Sequence, residues 1–562
     1  MVAAIQNFLN GKTKTITAAA ILISVSSLAS RFLGVVRDRL LVSEFGVGDK
    51  LDIYYASFQI PNFIFNLLIL GTLSVAFIPV FAEYWTKDDT KEAWEITNTI
   101  LNVTMILMGA ICAFLFIFAP LLAPWIAPGF EGEKLAETIQ LTRLLLLSPI
   151  FFSINAVVGS VLNATKRFLS VAIGPVIYNA CIILGILFAA PKWGIWGVGS
   201  AVVVGAFLYC VLQVVSCYAL GFRYQMITNT KHPAVRMIAK LFFPRIWGMD
   251  VSQISLLIGT VIGSTLVAGS VAIFNLAVNI QSVPVGVLAI PFVIAVFPNL
   301  TEAVATKQLH HYVAAFSYTV RQILFFLLPM SVLTIVLRAH IIRLIIGTRQ
   351  LSWDDTRLAA AALGIFAIGF VAQGVTPLLS RAFYALKDTR RPVFASLMSI
   401  VVNVAATTSV LWALGSNSAN VEVFKQVLRL DGVHDIRALA LPIGFTIAAF
   451  FNMIVLVVWL RLQFGDLEYA LILRRSVPIT IASLAAGLVT YGTLDLMTPL
   501  LNTHTFTGIL GQVVVSTVMG LVTYALASLL LRSKEMWQFL RSLERKMIKM
   551  VGPVDLSGVE EL

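Results

Sequence analysis

The sequence is poor in charge. Only 12% of its 562 residues are Asp, Glu, Lys or Arg, against roughly 25% in a soluble domain. Such a chain cannot cover its surface with polar groups, and with 59% hydrophobic residues and a mean hydropathy of +0.90 its solvent must be lipid. Cysteine is scarce as well. All four (Cys112, Cys181, Cys210, Cys217) lie inside apolar runs and none forms a CxxC pair, which speaks against a disulfide framework or a thiolate metal site. The six histidines sit at segment ends or in loops without HExxH-like spacing, so no metalloenzyme signature is present. No basic, aromatic-interleaved patch points to nucleic acid. The net charge of +12 is unevenly spread, which makes it a topology signal.

What the chain does have is long apolar runs. A spanning helix needs about 20 mostly apolar residues. Candidate spans are 15–36, 57–81, 97–119, 143–163, 168–190, 194–221, 248–268, 271–297, 316–337, 358–380, 393–414, 438–460, 477–498 and 508–531. In hydrocarbon each span must satisfy its own backbone, so helices are the expectation throughout. Lys12 and Lys14 before the first run resemble the start of a signal peptide, but the run continues into Arg31, and the segment is read as a retained helix.

Lys and Arg placement orients the chain. Lys166 and Arg167, the stretch from Arg223 to Arg245, Lys387, Arg390 and Arg391, and Arg461, Arg474 and Arg475 all fall on one side with the basic tail. One opposite loop is acidic (Glu131, Glu133, Glu137), and only the loop from Arg338 to Arg357 breaks the trend. Both termini are therefore expected in the cytoplasm.

Short internal echoes suggest a duplication. AFIPVFAE (76–83) returns as AVFPNLTE (295–302), with Pro79 and Pro298, and Glu83 and Glu302, each 219 apart. LNATKRF (162–168) returns as FYALKDT (383–389), about 221 apart, and each is followed by an Asn deep in the next span, Asn179 or Asn403. The expected fold is an all-α polytopic membrane protein with about fourteen transmembrane helices. Two six-helix repeats share one orientation, and two further helices follow. The expected division is an N-terminal lobe (1–222), a basic linker (223–246), a C-terminal lobe (247–460), the two added helices (461–531) and a tail (532–562) read as amphipathic on anionic lipid.

Charge inside lipid is costly, about 2.5–3.5 kcal/mol for a central Arg, Lys or Asp. The first span ends SRFLGVVRD (30–38), where Arg31 and Asp38 share one helical face and Ser30 and Arg37 an adjoining one. One reading is an interfacial helix end with snorkelling arginines; the other is a cationic cavity wall for an anionic substrate. The second span opens with Asp52 and SFQIPNF (57–63), where Pro61 frees a backbone carbonyl beside Asn62, either a plain kink or a polar contact point. Arg143 and Arg321, near span ends, read as snorkelling residues.

SRFLGVVRD together with FGVGDKLDIYYASFQIPNF (45–63), AFIPVFAEY (76–84), VLNATKRF (161–168), VSQIS (251–255) and RAFYALKDTRRPV (381–393) resembles the MviN/MurJ family, within the MATE-like multidrug/oligosaccharidyl-lipid/polysaccharide exporter superfamily. The resemblance implies an alternating-access flippase, not an enzyme. It would move lipid II, an undecaprenyl-pyrophosphate-linked peptidoglycan precursor, from the inner to the outer leaflet of the bacterial cytoplasmic membrane. Ser30, Arg31, Arg37, Asp38, Asp52 and Asn62 match positions lining that family's cavity. Some members carry a sodium site, and Asp250, Asn403, Thr407 and Thr446 would form a version of it that lacks the second carboxylate, so Na+ or H+ coupling is implied without a further cofactor. Two departures stand out: Phe65 or Asn66, followed by Leu70, and Asn279 occupy places where members carry arginine or an acidic residue. The cargo could then be another glycolipid or a small molecule exported MATE-fashion. A membrane enzyme would need a carboxylate or histidine cluster at a membrane face, and a non-transporting scaffold would need no polar cavity.

Overall fold

The computed structural model describes residues 16–66, 73–87, 89–246, 252–348, 350–416, 419–502 and 505–541. Among these the chain is helical throughout, without a strand. The first helices are α1 (Ile16–Phe45), α2 (Asp49–Phe65), α3 (Leu73–Thr86), α4 (Thr90–Ile126), α5 (Gly132–Ala164), α6 (Phe168–Trp193) and α7 (Ile195–Tyr218). Next come α8 (Pro233–Ile246), α9 (Ser252–Ser264), α10 (Ser270–Leu288), α11 (Ile290–Ala305), α12 (Leu309–Ile346), α13 (Trp353–Ile368) and α14 (Phe370–Ala385). The last are α15 (Arg390–Leu414), α16 (Ala419–Leu428), α17 (Ala440–Phe464), α18 (Tyr469–Met497) and α19 (Phe506–Leu530).

Among the described residues ten helices are long and apolar enough to cross a membrane, or eleven when α13 and α14, bent by 43°, count as one span. The expected spans 15–36, 57–81 and 248–268 make up the difference from fourteen. Each includes residues outside the described set, and α2 and α9 are described over 17 and 13 residues.

Packing groups the chain into two compact units. One comprises Met1–Ile280, Ile345–Ala362 and Ser396–Phe445. In it Phe77 and Phe81 of α3 pack with Ile96 and Ile100 of α4, Val157 and Val161 of α5 and Phe222. The linker is pinned to this core. Asn98 and Asn102 of α4 donate to the carbonyls of Arg223, Gln225 and Ile227 at 2.8–3.1 Å, and His232 meets Glu92 at 2.7 Å. These asparagines satisfy an extended backbone that has no ladder partner of its own.

The second unit comprises Gln281–Leu344, Leu363–Ala395 and Thr446–Leu562. Its core joins Tyr312, Phe316 and Leu327 of α12 with Val293 and Leu300 of α11, Leu379 and Phe383 of α14, and Leu456 of α17. In the same unit α18 and α19 approach closely because Gly520 faces Thr490 across the contact, where a Cβ would collide with the threonine hydroxyl.

The sequence echoes correspond to equivalent local structures. Pro79 and Pro298 both lie inside short helices, α3 and α11, and LNATKRF and FYALKDT both end a helix. Each of those ends is closed by a lysine in the left-handed region, Lys166 (φ 61°) and Lys387 (φ 62°). Arg167 N then bonds Leu162 O at 2.8 Å, and Asp388 N bonds Phe383 O at 3.0 Å. This is the reversal that normally selects glycine. Lys307 (φ 57°) closes α11 in the same way. A left-handed non-glycine residue costs about 1 kcal/mol, so Lys307→Gly should raise the unfolding free energy by up to that amount. Thermal unfolding in detergent checks it, and a lowered Tm would show that the lysine charge outweighs the backbone strain.

Candidate functional site

The charged end of α1 is woven into one polar network within the first unit. Arg37 donates from Nε and Nη2 to Asp38 Oδ1 at 3.0 and 2.8 Å, and from Nη1 to Asn179 Oδ1 of α6 at 3.2 Å. The Asn179 amide nitrogen donates to Ser30 Oγ at 3.2 Å and to the Pro175 carbonyl at 3.0 Å. Asn279 of α10 donates to the other Asp38 oxygen at 3.0 Å. Asp38 is 3% exposed, so its charge is matched almost wholly by protein donors. Tyr54 and Tyr55 of α2 and Tyr178 of α6 lie near the same guanidinium, and the buried Tyr55 hydroxyl has no hydrogen-bond partner among the described residues.

Sequence reasoning placed Ser30 beside Arg37, and the Asn179 amide does link them. It also placed Arg31 on the Asp38 face, but Asp38 is taken by its neighbour Arg37. Seven residues of helix put Arg31 roughly 10 Å away along the axis, too far to compete for the carboxylate. Arg31 is half-buried and makes no hydrogen bond or ion pair with any described residue. The Arg37 and Asp38 charges cancel within the network. Arg31 therefore remains as a guanidinium with five unused donors beside a satisfied polar wall.

Asp52 does not join this network. Its carboxylate accepts from Gly269 N at 2.8 Å and Ala272 N at 2.9 Å, at the start of α10, and from Lys134 Nζ of α5 at 3.1 Å. It is 1% exposed. Asp52 thus caps a helix N-terminus, where orphan N–H groups and the helix dipole favour an anion. Asn62 is exposed, and its side chain bonds to no described residue. Phe65 packs its ring 5.0 Å from Phe152, and Asn66 donates to Gln253 Oε1 at 3.1 Å, so these positions carry apolar and neutral polar contacts.

Two members of the cation set are neighbours within the first unit. Asn403 and Thr407 are buried and adjacent on α15, with the Thr407 hydroxyl 3.2 Å from Asn403 Oδ1. Thr446 belongs to the other compact unit and donates to Ile365 O at 3.4 Å. Asp250 lies outside the described residues. No cluster of three His, Cys, Asp or Glu occurs among the described residues.

Sequence reasoning missed Asn179 and Asn279 as bridging amides and Lys134 as the Asp52 partner. The signals for Asn179 were its place after the internal echo and its isolation in an apolar run four residues after Pro175. Of the two arginines expected to snorkel, Arg143 is half-buried and donates to Phe116 O at 3.0 Å. Arg321 is instead buried at 8% exposure, with Nε bonded to Ser317 O.

The family model described as lipid II flippase MurJ matches residues 41–511. A probable lipid II flippase MurJ from Rhizobium tropici is 27% identical over 396 residues, 68% of this chain and 73% of that protein. The lipid II flippase MurJ of Burkholderia cenocepacia is 26% identical over 398 residues, 68% of this chain and 76% of its own length. Among solved structures, a lipid II flippase MurJ in an inward closed conformation superposes with a TM-score of 0.70 at 22% identity, covering 90% of this chain and 98% of that one. An inward-facing multidrug resistance MATE family transporter of the MOP superfamily gives 0.61 at 15% identity, over 80% and 99%. The structural likenesses give the fold, an all-α polytopic membrane protein of the type shared by MurJ and MATE transporters. The family model spans most of the chain, and the chain therefore belongs to the lipid II flippase MurJ family.

Proposed function

We propose that this protein flips an undecaprenyl-pyrophosphate-linked peptidoglycan precursor, lipid II, from the inner to the outer leaflet of a bacterial cytoplasmic membrane, with both termini cytoplasmic. Arg31 carries the reading. It is a half-buried guanidinium with no protein partner among the described residues, held on a helix whose neighbouring charges are already matched. A diphosphate is a compact, multiply charged acceptor that a guanidinium fork engages bidentately. The Arg37–Asp38–Asn179–Asn279 network supplies a rigid wall, backed by the buried rings of Tyr54 and Tyr55. Alternating access requires contacts that break on one side, and Asp52 on the start of α10 is suited to that role. Coupling to Na+ or H+ would draw on Asn403, Thr407 and Asp250.

A second reading, flipping of a different anionic glycolipid, is favoured by one observation. Phe65 and Asn279 leave Arg31 as the principal uncommitted cation. Cells depleted of their own lipid II flippase separate the two. Expression of this protein should restore growth and cell shape, with Arg31→Ala as the negative control. Lysis despite normal membrane insertion would turn the assignment to another lipid-linked anion.

A further inference from the structure

The tail was expected to lie on lipid, but its described part docks on the second unit. Residues 534–541 form a helix after Arg532. Met536, 4% exposed, enters a core with Phe325 of α12, Ile479 and Ala482 of α18, and Tyr524 of α19. The Phe539 ring lies 6.2 and 5.8 Å from Phe325 and Phe326, and Gln322 donates to Gln538 at 3.3 Å. Between these apolar contacts the tail buries a carboxylate: Glu535 is 2% exposed.

The Glu535 seat is wider than its occupant. One carboxylate oxygen lies 3.6 Å from Arg321 Nη1 and 3.8 Å from Arg475 Nη1, beyond hydrogen-bond reach of either. The other oxygen accepts from Ser533 Oγ at 3.1 Å, within the tail itself. Arg475 makes no other polar contact with a described residue, and Arg321 only its Nε bond to Ser317 O. Two guanidiniums thus face the Glu535 carboxylate without a hydrogen bond to it, and the Glu468 carboxylate, which also acts on Arg321, makes no ion pair with either arginine. A buried charge left without donor–acceptor contact is unfavourable, so a larger anion that reached both forks would be favoured.

The surroundings say which anion can arrive. Arg474, Arg532, Lys534 and Arg541 are exposed around the seat. On the outward side of the tail helix Trp537 is 51% and Leu540 38% exposed, an aromatic and apolar edge suited to a membrane interface. Basic residues at such an edge concentrate anionic lipid.

We propose that Arg321 and Arg475 form a binding site for the phosphate of an anionic phospholipid, and that Glu535 closes this site while the tail is docked. A phosphodiester presents two anionic oxygens and engages two arginines at once, which the carboxylate does not do here. The site is separate from Arg31 and does not depend on the identity of the cargo.

The test is thermal unfolding in phosphatidylcholine nanodiscs with and without phosphatidylglycerol. Glu535→Gln removes the resident charge, and phosphatidylglycerol should then raise Tm by about 3 °C more than it does for the wild type. Glu535→Asp keeps the charge on a shorter arm and should show the same gain in weaker form, which preserves the test if Glu535→Gln fails to fold. Adding Arg321→Gln and Arg475→Gln should abolish the gain. Equal lipid responses in the wild type and both Glu535 variants would overturn the proposal. So would an identical rise from sodium phosphate in phosphatidylcholine discs, since the site would then take free anion.

Discussion

Arg31→Ala is expected to cut flipping about ten- to a hundredfold while membrane insertion and unfolding temperature stay at wild-type values. The magnitude follows from losing charge-assisted hydrogen bonds worth about 1.5–3 kcal/mol. The unchanged stability follows from the structure, because Arg31 bonds to no described residue and its removal orphans none of them. Arg37→Ala should behave differently. It strips Asp38 Oδ1 and Asn179 Oδ1 of their donors, so unfolding temperature and transport should fall together. Arg31→Lys keeps the charge but loses the planar fork, and should restore only part of the rate. A fluorescent lipid II translocation assay in proteoliposomes, run beside melting curves, separates these outcomes. Near-normal flipping by Arg31→Ala would remove Arg31 from the headgroup site and leave it a snorkelling cation.

The contrast between the two arginines marks how far the sequence could be read. Apolar run lengths identified the helices, since backbone in lipid has one inexpensive conformation. The 219- and 221-residue echoes located structurally equivalent helix ends, down to Lys166 and Lys387 in the same left-handed turn. Periodicity also singled out the polar wedge of α1. It could not say which groups answer which, because pairing depends on helices remote in sequence: Asn179 lies 142 residues from Arg37, and Asn279 lies 241 from Asp38. Asp52 was misplaced for the same reason, since a carboxylate reads alike whether it lines a cavity or caps a helix start 217 residues away. The start of the tail was legible only in part. Its amphipathic pattern was legible, but Met536 is buried in protein and Phe539 meets Phe325 while Trp537 is half open, and hydrophobicity alone does not choose between those solvents.

Asp52→Ala is expected to release the start of α10 and open the protein on that side. One buried carboxylate holds three donors from two other parts of the unit: Gly269 N, Ala272 N and Lys134 Nζ. Its removal leaves two helix-start N–H groups and an ammonium without their acceptor. Breaking one partner of a buried ionic contact costs about 3–5 kcal/mol. Lys134 retains Asp49 at 2.6 Å, and its side chain is 20% exposed, so the loss should fall toward the lower end and concentrate on α10. The local consequence is measurable at Ser270, 1% exposed beside the capped end. With Cys112, Cys181, Cys210 and Cys217 replaced, a cysteine at Ser270 should react slowly with a membrane-impermeant maleimide in the otherwise native protein. Asp52→Ala should make it react at least about tenfold faster, since about 1.4 kcal/mol of lost closure already shifts an opening equilibrium by a factor of ten. Asp52→Asn keeps one acceptor oxygen and should fall between. Native labelling rates together with a native Tm in Asp52→Ala would show that α10 is held by packing alone, and the closing contact would then have to lie in the Asp38–Asn279 bond.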